Sequence, residues 1–115
     1  MSTDLKDRTR EYALRIIRLV AALPKGRMSN IVARQLLRAG TSPGAHFREA
    51  LRSRSKAEYT AKMNGGLMEL EGSLYWLEIV EGTHLVAPAK LDSIKKETDE
   101  LIAIFVSLVN KWRSK

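Results

Sequence analysis

Cysteine is absent from this 115-residue chain, which excludes disulfides, thiolate metal sites and cysteine nucleophiles. A reducing compartment fits that absence, and a cytoplasmic protein is expected. No apolar run approaches the roughly 20 residues a membrane span needs. Charges punctuate the opening MSTDLKDRTREYALRIIRLV, so it lacks the apolar core of a signal peptide. No membrane partner is expected. Strand signals are missing too: there is no strict alternation and no Asn-Gly or Asp-Gly turn between β-branched runs.

Chemistry-bearing motifs are equally scarce. The two histidines, His46 and His84, fall in neither H-x-x-x-H nor H-E-x-x-H spacing, so no helical metal site is expected. There is no P-loop, no G-x-S-x-G and no dinucleotide fingerprint. Glu69 and Glu71, or Asp99 and Glu100, point in different directions on a helix and make no carboxylate pair. His46 and Glu49 share one helical turn, but the expectation is a local hydrogen-bonded pair. These absences argue against catalysis and against a cofactor.

What is present is an uneven charge. Residues 1–62 carry 14 Lys and Arg against 5 Asp and Glu, whereas residues 63–115 carry 6 against 8. The whole excess of the +7 chain therefore sits in its first half. Net charge governs partners and solubility more than fold, and a basic half reads as a surface that meets phosphate.

Length and ordinary hydrophobic content predict one domain spanning residues 1–115. Proline occurs only at positions 24, 43 and 88, each an expected junction. The first helix is expected from about Leu5, capped by Asp4, to Leu23, with Leu5, Tyr12, Ile16 and Leu19 on one face. A second begins near Ser29 and is kinked or broken at Ser42-Pro43, which reads as a fresh cap and first helical residue. Ser55-Lys-Ala-Glu58 is a capping box that opens the third helix. Glu81-Gly82-Thr83 ends it. After Pro88, a fourth helix carries a seam of Leu91, Ile94, Thr98, Leu101, Phe105, Leu108 and Trp112. Short connections make the fold all-α: an antiparallel up-down four-helix bundle with a kinked second helix.

Two helices have more apolar surface than a monomer needs. On the third, Met68, Tyr75 and Ile79 lie about 140–180° from Leu70, with Trp76 nearby. Gly65 and Gly72 fall on that side, as if to admit another helix. On the first, Leu14 and Ile17 oppose the Tyr12 face. Surplus stripes mark a partner surface, and self-association is expected.

The basic residues are also patterned. On an unbroken second helix Arg27, Arg34, Arg38, Arg48 and Arg52 fall within about 80° of one another, and Lys56 lies near the same line. Arg8 and Arg15 add positions on the first helix. Arginine's planar fork suits phosphate. With no aromatic platform or zinc-finger pattern, the expected mode is binding to RNA or DNA backbone with little sequence readout. The alternative is a protein–protein scaffold whose basic face docks an acidic partner.

The run RAGTSPGAHFREA, Arg38 to Ala50, resembles the bacterial four-helix bundle proteins also called 23S rRNA-intervening sequence proteins. That family typically shows Ser-x-Gly/Pro-Ala-Asn-x-x-Glu-(Ala/Gly) here, and His46 takes the usual Asn position. Arg52 to Tyr59, Leu74 to Glu78 and Asp99 to Phe105 are similar to its later blocks. The resemblance covers nearly the whole chain. It implies an antiparallel four-helix bundle, a ring-like homo-oligomer that is commonly a pentamer, and no established enzyme activity. Family genes lie inside insertions in large ribosomal RNA genes. A related branch is the basic pentameric accessory protein of diversity-generating retroelements, which works with a reverse transcriptase and RNA.

Overall fold

The computed structural model describes the backbone of residues 2–113 and the side chains of residues 5–111. Four helices follow one another: α1 (Ser2–Ala21), α2 (Arg27–Leu51), α3 (Lys56–Gly82) and α4 (Asp92–Arg113). A 3₁₀ turn at Pro88–Lys90 leads into α4. No strand occurs among the described residues.

Paired positions fix the topology. Thr9 lies against Gly44 and Ile16 against Gly40, so α1 and α2 run in opposite directions. Ala39 faces Gly72 and His46 faces Gly65, which makes α2 and α3 antiparallel. Phe105 meets Gly66, and Lys95 bonds Glu81, which does the same for α3 and α4. Arg8 pairs with Glu97 and Arg15 reaches Ser93, which closes the bundle antiparallel between α1 and α4. The bundle is rod-like, 47 × 21 × 21 Å.

Leucine, isoleucine and aromatic side chains at helical spacing fill the centre. Tyr12, Ile16, Leu36, Phe47, Met63, Leu70, Leu77, Leu91, Leu101 and Phe105 are fully buried. Each such side chain contributes about 1.5–3 kcal/mol through burial. Phe47 and Phe105 tilt against each other at 6.4 Å. The expected α4 seam holds from Leu91 to Phe105, then moves from Leu108 to Val109, which is buried instead. A straight helix drifts about 20° per heptad, so a strict seven-residue seam walks off the core face. The Trp112 side chain lies outside the described residues.

A buried hydroxyl pair joins α1 to α4 within the core. Thr98 donates to the Ile94 carbonyl at 2.7 Å, so the 2.7 Å bond between Tyr12 and Thr98 is donated by the phenol. Burial pushes the Tyr12 phenol above its ordinary value, partly offset by this bond to Thr98.

Several expected helix ends are corrected. α1 starts at Ser2, which puts Asp4 inside its first turn. α2 starts at Arg27 behind Gly26, and Ser29 is a buried helical residue rather than a cap. Ser42 caps nothing, because α2 runs through Pro43 as one helix. The Ser42 hydroxyl donates back to the Arg38 carbonyl at 2.5 Å, and Thr41 donates to Leu37 at 2.6 Å. Pro43 is buried, and its ring removes one rung of the helix ladder.

The Ser55 cap is as expected: its hydroxyl accepts from the Glu58 N–H at 3.0 Å. Glu58 reaches back to the Arg54 N–H at 2.7 Å, one residue before the cap. At the far end the left-handed residue is His84 (φ 60°), not Gly82. His84 N–H bonds the Glu81 carbonyl and Leu85 N–H the Val80 carbonyl, a Schellman closure.

Candidate nucleic-acid interface

Because α2 is unbroken, about 100° per residue keeps Arg27, Arg34, Arg38 and Arg48 on one outer face over roughly 32 Å, and Arg52 follows them as the C-cap. All five are exposed, while Leu36, Phe47 and Ala50 on the opposite side enter the core. Between the two i,i+4 pairs sit Thr41 and Ala45, both exposed and small. The side chains of Arg27, Arg34, Arg48 and Arg52 make no ion pair with any described residue. Arg38 is engaged: its guanidinium reaches Glu69 at 3.2 Å while staying largely exposed. Glu49, the acidic residue beside the row, is taken by Lys62 at 3.2 Å. Four cations of one sign therefore line this face without internal compensation.

The structure separates Arg8 and Arg15 from this row. Both turn to the α1–α4 side. Arg8 forms a two-carboxylate clamp, to Glu97 at 2.6 Å and to Glu100 at 2.9 Å. The Glu97 hydrogen bond raises the Arg8 pKa, burial opposes it, and Glu100 adds to it. Arg15 donates to the Ser93 hydroxyl at 2.9 Å. Sequence spacing gave no sign of these engagements, because their partners lie about 80–90 residues away. Lys56 does not extend the α2 line, since the helix ends at Leu51; it opens α3 and lines a cavity there.

His46 is a packing residue. Its Nδ1 lies 3.7 Å from Glu49, too long for the expected hydrogen bond, and is buried without a partner. The imidazole fills the notch left by Gly65: a Cβ there would stand 3.0 Å from His46 Cε1. Gly65 and Gly72 thus admit α2 of the same chain, with Gly72 facing Ala39, and are removed from the expected oligomer surface.

The remaining apolar candidates divide. Met68 is 67% exposed and Tyr75 56%, and Ile17 is exposed on α1. Trp76 and Ile79 are half-buried and pack against the core, and Leu14 is half-buried. The Tyr75 and Trp76 rings meet edge to face at 5.3 Å. Two residues the sequence reading missed join them: Met28 and Ile31, 55% and 54% exposed on α2. Arg38 opposite Glu69 places Ile31, seven residues earlier, level with Trp76, seven residues later. Three-residue spacing off the α2 core face was their only signal.

Among the described residues no group of three His, Asp or Glu is placed to hold a metal ion. No described helix is long and apolar enough to cross a membrane.

Residues 2–107 match the family model described as 23S rRNA-intervening sequence protein. The chain is similar to a crystallised protein of unknown function from the S23 ribosomal protein family of Bacteroides thetaiotaomicron VPI-5482. The two share 31% identity and a TM-score of 0.88, over 95% of this chain and 97% of the other. No curated protein matches the chain.

Proposed function

Because this chain belongs to the 23S rRNA-intervening sequence protein family, we propose that it is a non-catalytic, homo-oligomeric protein that binds the backbone of RNA or DNA. The observation that carries this reading is the row of four uncompensated arginines, Arg27, Arg34 and Arg48 on the outer face of an unbroken α2 and Arg52 at its C-cap. Lysine and arginine contacts to phosphate supply affinity and position, with little sequence readout. Met28, Ile31, Met68 and Tyr75 support self-association, since a lone bundle gains nothing from exposing them together. A ring is the favoured assembly, with five copies as the resemblance implies. Repeating the row around an axis raises avidity without new contacts.

The test is a titration against labelled RNA and DNA at several salt concentrations. Binding is expected at low salt and falls steeply as salt rises, with about one unit of salt slope per phosphate contact. Arg34→Glu combined with Arg48→Glu weakens binding to all sequences and flattens that slope. Equal affinity for variant and parent removes the reading and puts first the alternative, a scaffold docking an acidic protein.

A further inference from the structure

The apolar residues left outside the core on α2 and α3 lie between two rows of opposite charge. On α2, Met28 and Ile31 are exposed. Arg27 and Arg34 stand about 40–60° from Ile31 around the helix, on the flank away from α3. On α3, Tyr75 is exposed, and Glu71 and Glu78 stand about 40–60° from it, on the flank away from α2. All four charged side chains are exposed, and none forms an ion pair with a described residue. Glu78 acts on Lys95 only from a distance, since Lys95 is bound by Glu81 at 2.6 Å.

Height along the rod matters as much as direction. The Ala39–Gly72 and Arg38–Glu69 contacts set Arg34 at a height between Glu71 and Glu78, and Arg27 about one turn beyond Glu78. Rotation about an axis parallel to the rod carries one copy onto the next without changing any height. An α2 edge brought in this way against the next copy's α3 edge alternates Arg27, Glu78, Arg34 and Glu71 along the seam. It also sets Ile31 beside the next copy's Tyr75.

The two flanks select the occupant. A nucleic-acid strand is repelled by Glu71 and Glu78, and a partner of one charge sign fits only one flank. A second copy of this chain carries both. Pairing α2 with α2 would set arginine against arginine, a like-charge contact that disfavours it. We infer that α2 of one copy docks on α3 of the next about an axis along the rod, with Arg27 and Arg34 meshing between the next copy's Glu71 and Glu78. The apolar strip supplies the affinity, and the alternating charges fix the register. The inference rests on the self-association reading above and names its surfaces. Arg48 and Arg52, at the other end of the row, are left to phosphate.

The experiment follows assembly by sedimentation over a range of concentrations, on nuclease-treated full-length chain. It compares the parent with Arg27→Glu plus Arg34→Glu, with Glu71→Arg plus Glu78→Arg, and with all four changes together. Each one-sided variant is expected to raise the concentration of half-assembly at least about tenfold, because like charges then face each other across the seam. The fourfold variant reverses both sides and should return to within about threefold of the parent. All keep the parent's helical circular dichroism, since none of the four side chains enters the core. Unchanged assembly in either one-sided variant, or no recovery in the fourfold one, overturns the inference while self-association stands. Tighter assembly on changing Arg27 and Arg34 also overturns it, because that result marks α2 packed on α2. A parent that stays monomeric removes the self-association reading and this inference with it.

Discussion

At the scale of single residues, Tyr12 and His84 carry the sharpest consequences. Tyr12 donates to Thr98, which keeps its own bond to Ile94 when the phenol is removed. Tyr12→Phe therefore leaves no stranded donor and costs about 1 kcal/mol in denaturant unfolding at neutral pH. The same pair is sensitive to alkali. The folded-state phenol is raised above 10.0, so its contribution is complete below about pH 10 and is lost as pH climbs through the folded value. Parent and Tyr12→Phe should converge in stability across that alkaline window, whereas a constant gap from pH 8 to 11 would contradict it. His84 holds φ 60° at the end of α3. Glycine has no steric penalty there, so His84→Gly should raise stability by about 1 kcal/mol, read from the urea midpoint. The Ser53–Glu58 segment shows how local signals survive: the Ser55 cap was legible because its partner is three residues away.

At the scale of helices, glycine decides how closely elements meet. A Cβ on Gly66 would stand 2.6 Å from the buried Phe105 ring, which has nowhere to go. Gly66→Ala should destabilise by about 1–3 kcal/mol despite better helix propensity. A Cβ on Gly72 would meet Ala39 at 3.9 Å, an ordinary contact. Gly72→Ala should then stabilise by up to about 1 kcal/mol, the helix-propensity gain alone. Thermal unfolding of both variants at one protein concentration checks the pair, and a shared sign would refute the packing assigned to them. Ser42-Pro43 reads locally as a new start, but α2 passes through a buried Pro43 as one helix, and the Thr41 and Ser42 hydroxyls bond back to Leu37 and Arg38 rather than cap anything. Ser42→Ala is accordingly expected to cost under about 0.5 kcal/mol, less than the loss of a true cap.

At the scale of the whole molecule, the proposed self-association rests on exposed apolar residues and the proposed nucleic-acid binding on the arginine row. Ile31 and Tyr75 lie on adjoining helices at the same end of the rod, and neither enters the core. Light scattering of the unmodified chain in dilute buffer should report an oligomer. Ile31→Glu with Tyr75→Glu should shrink the particle while leaving helical circular dichroism intact. A monomer for the parent, or an unchanged mass for the variant, removes the self-association proposal. Loss of assembly should also weaken nucleic-acid binding more than either charge change alone, because fewer rows then meet one strand.

The sequence by itself determined the four helices, most of their core stripes and the exclusion of disulfide chemistry. Hydrophobic period and local caps act over three or four residues and need no distant partner. It also determined the arginine spacing on α2, though not whether the helix would carry it unbroken. Tertiary structure decided that continuity, with Pro43 buried inside one helix. It decided which charges remain available: Arg8 and Arg38 look alike in sequence, yet Glu97 and Glu69 claim them from other helices. It turned Gly65 and Gly72 inward to α2 and left Met28 and Ile31 outside. It also gathered Arg54, Lys56 and Lys111 around one cavity. The reason is the same in each case: an ion pair, a close helix crossing or a pocket depends on residues remote in the chain, and only packing brings them to the same place.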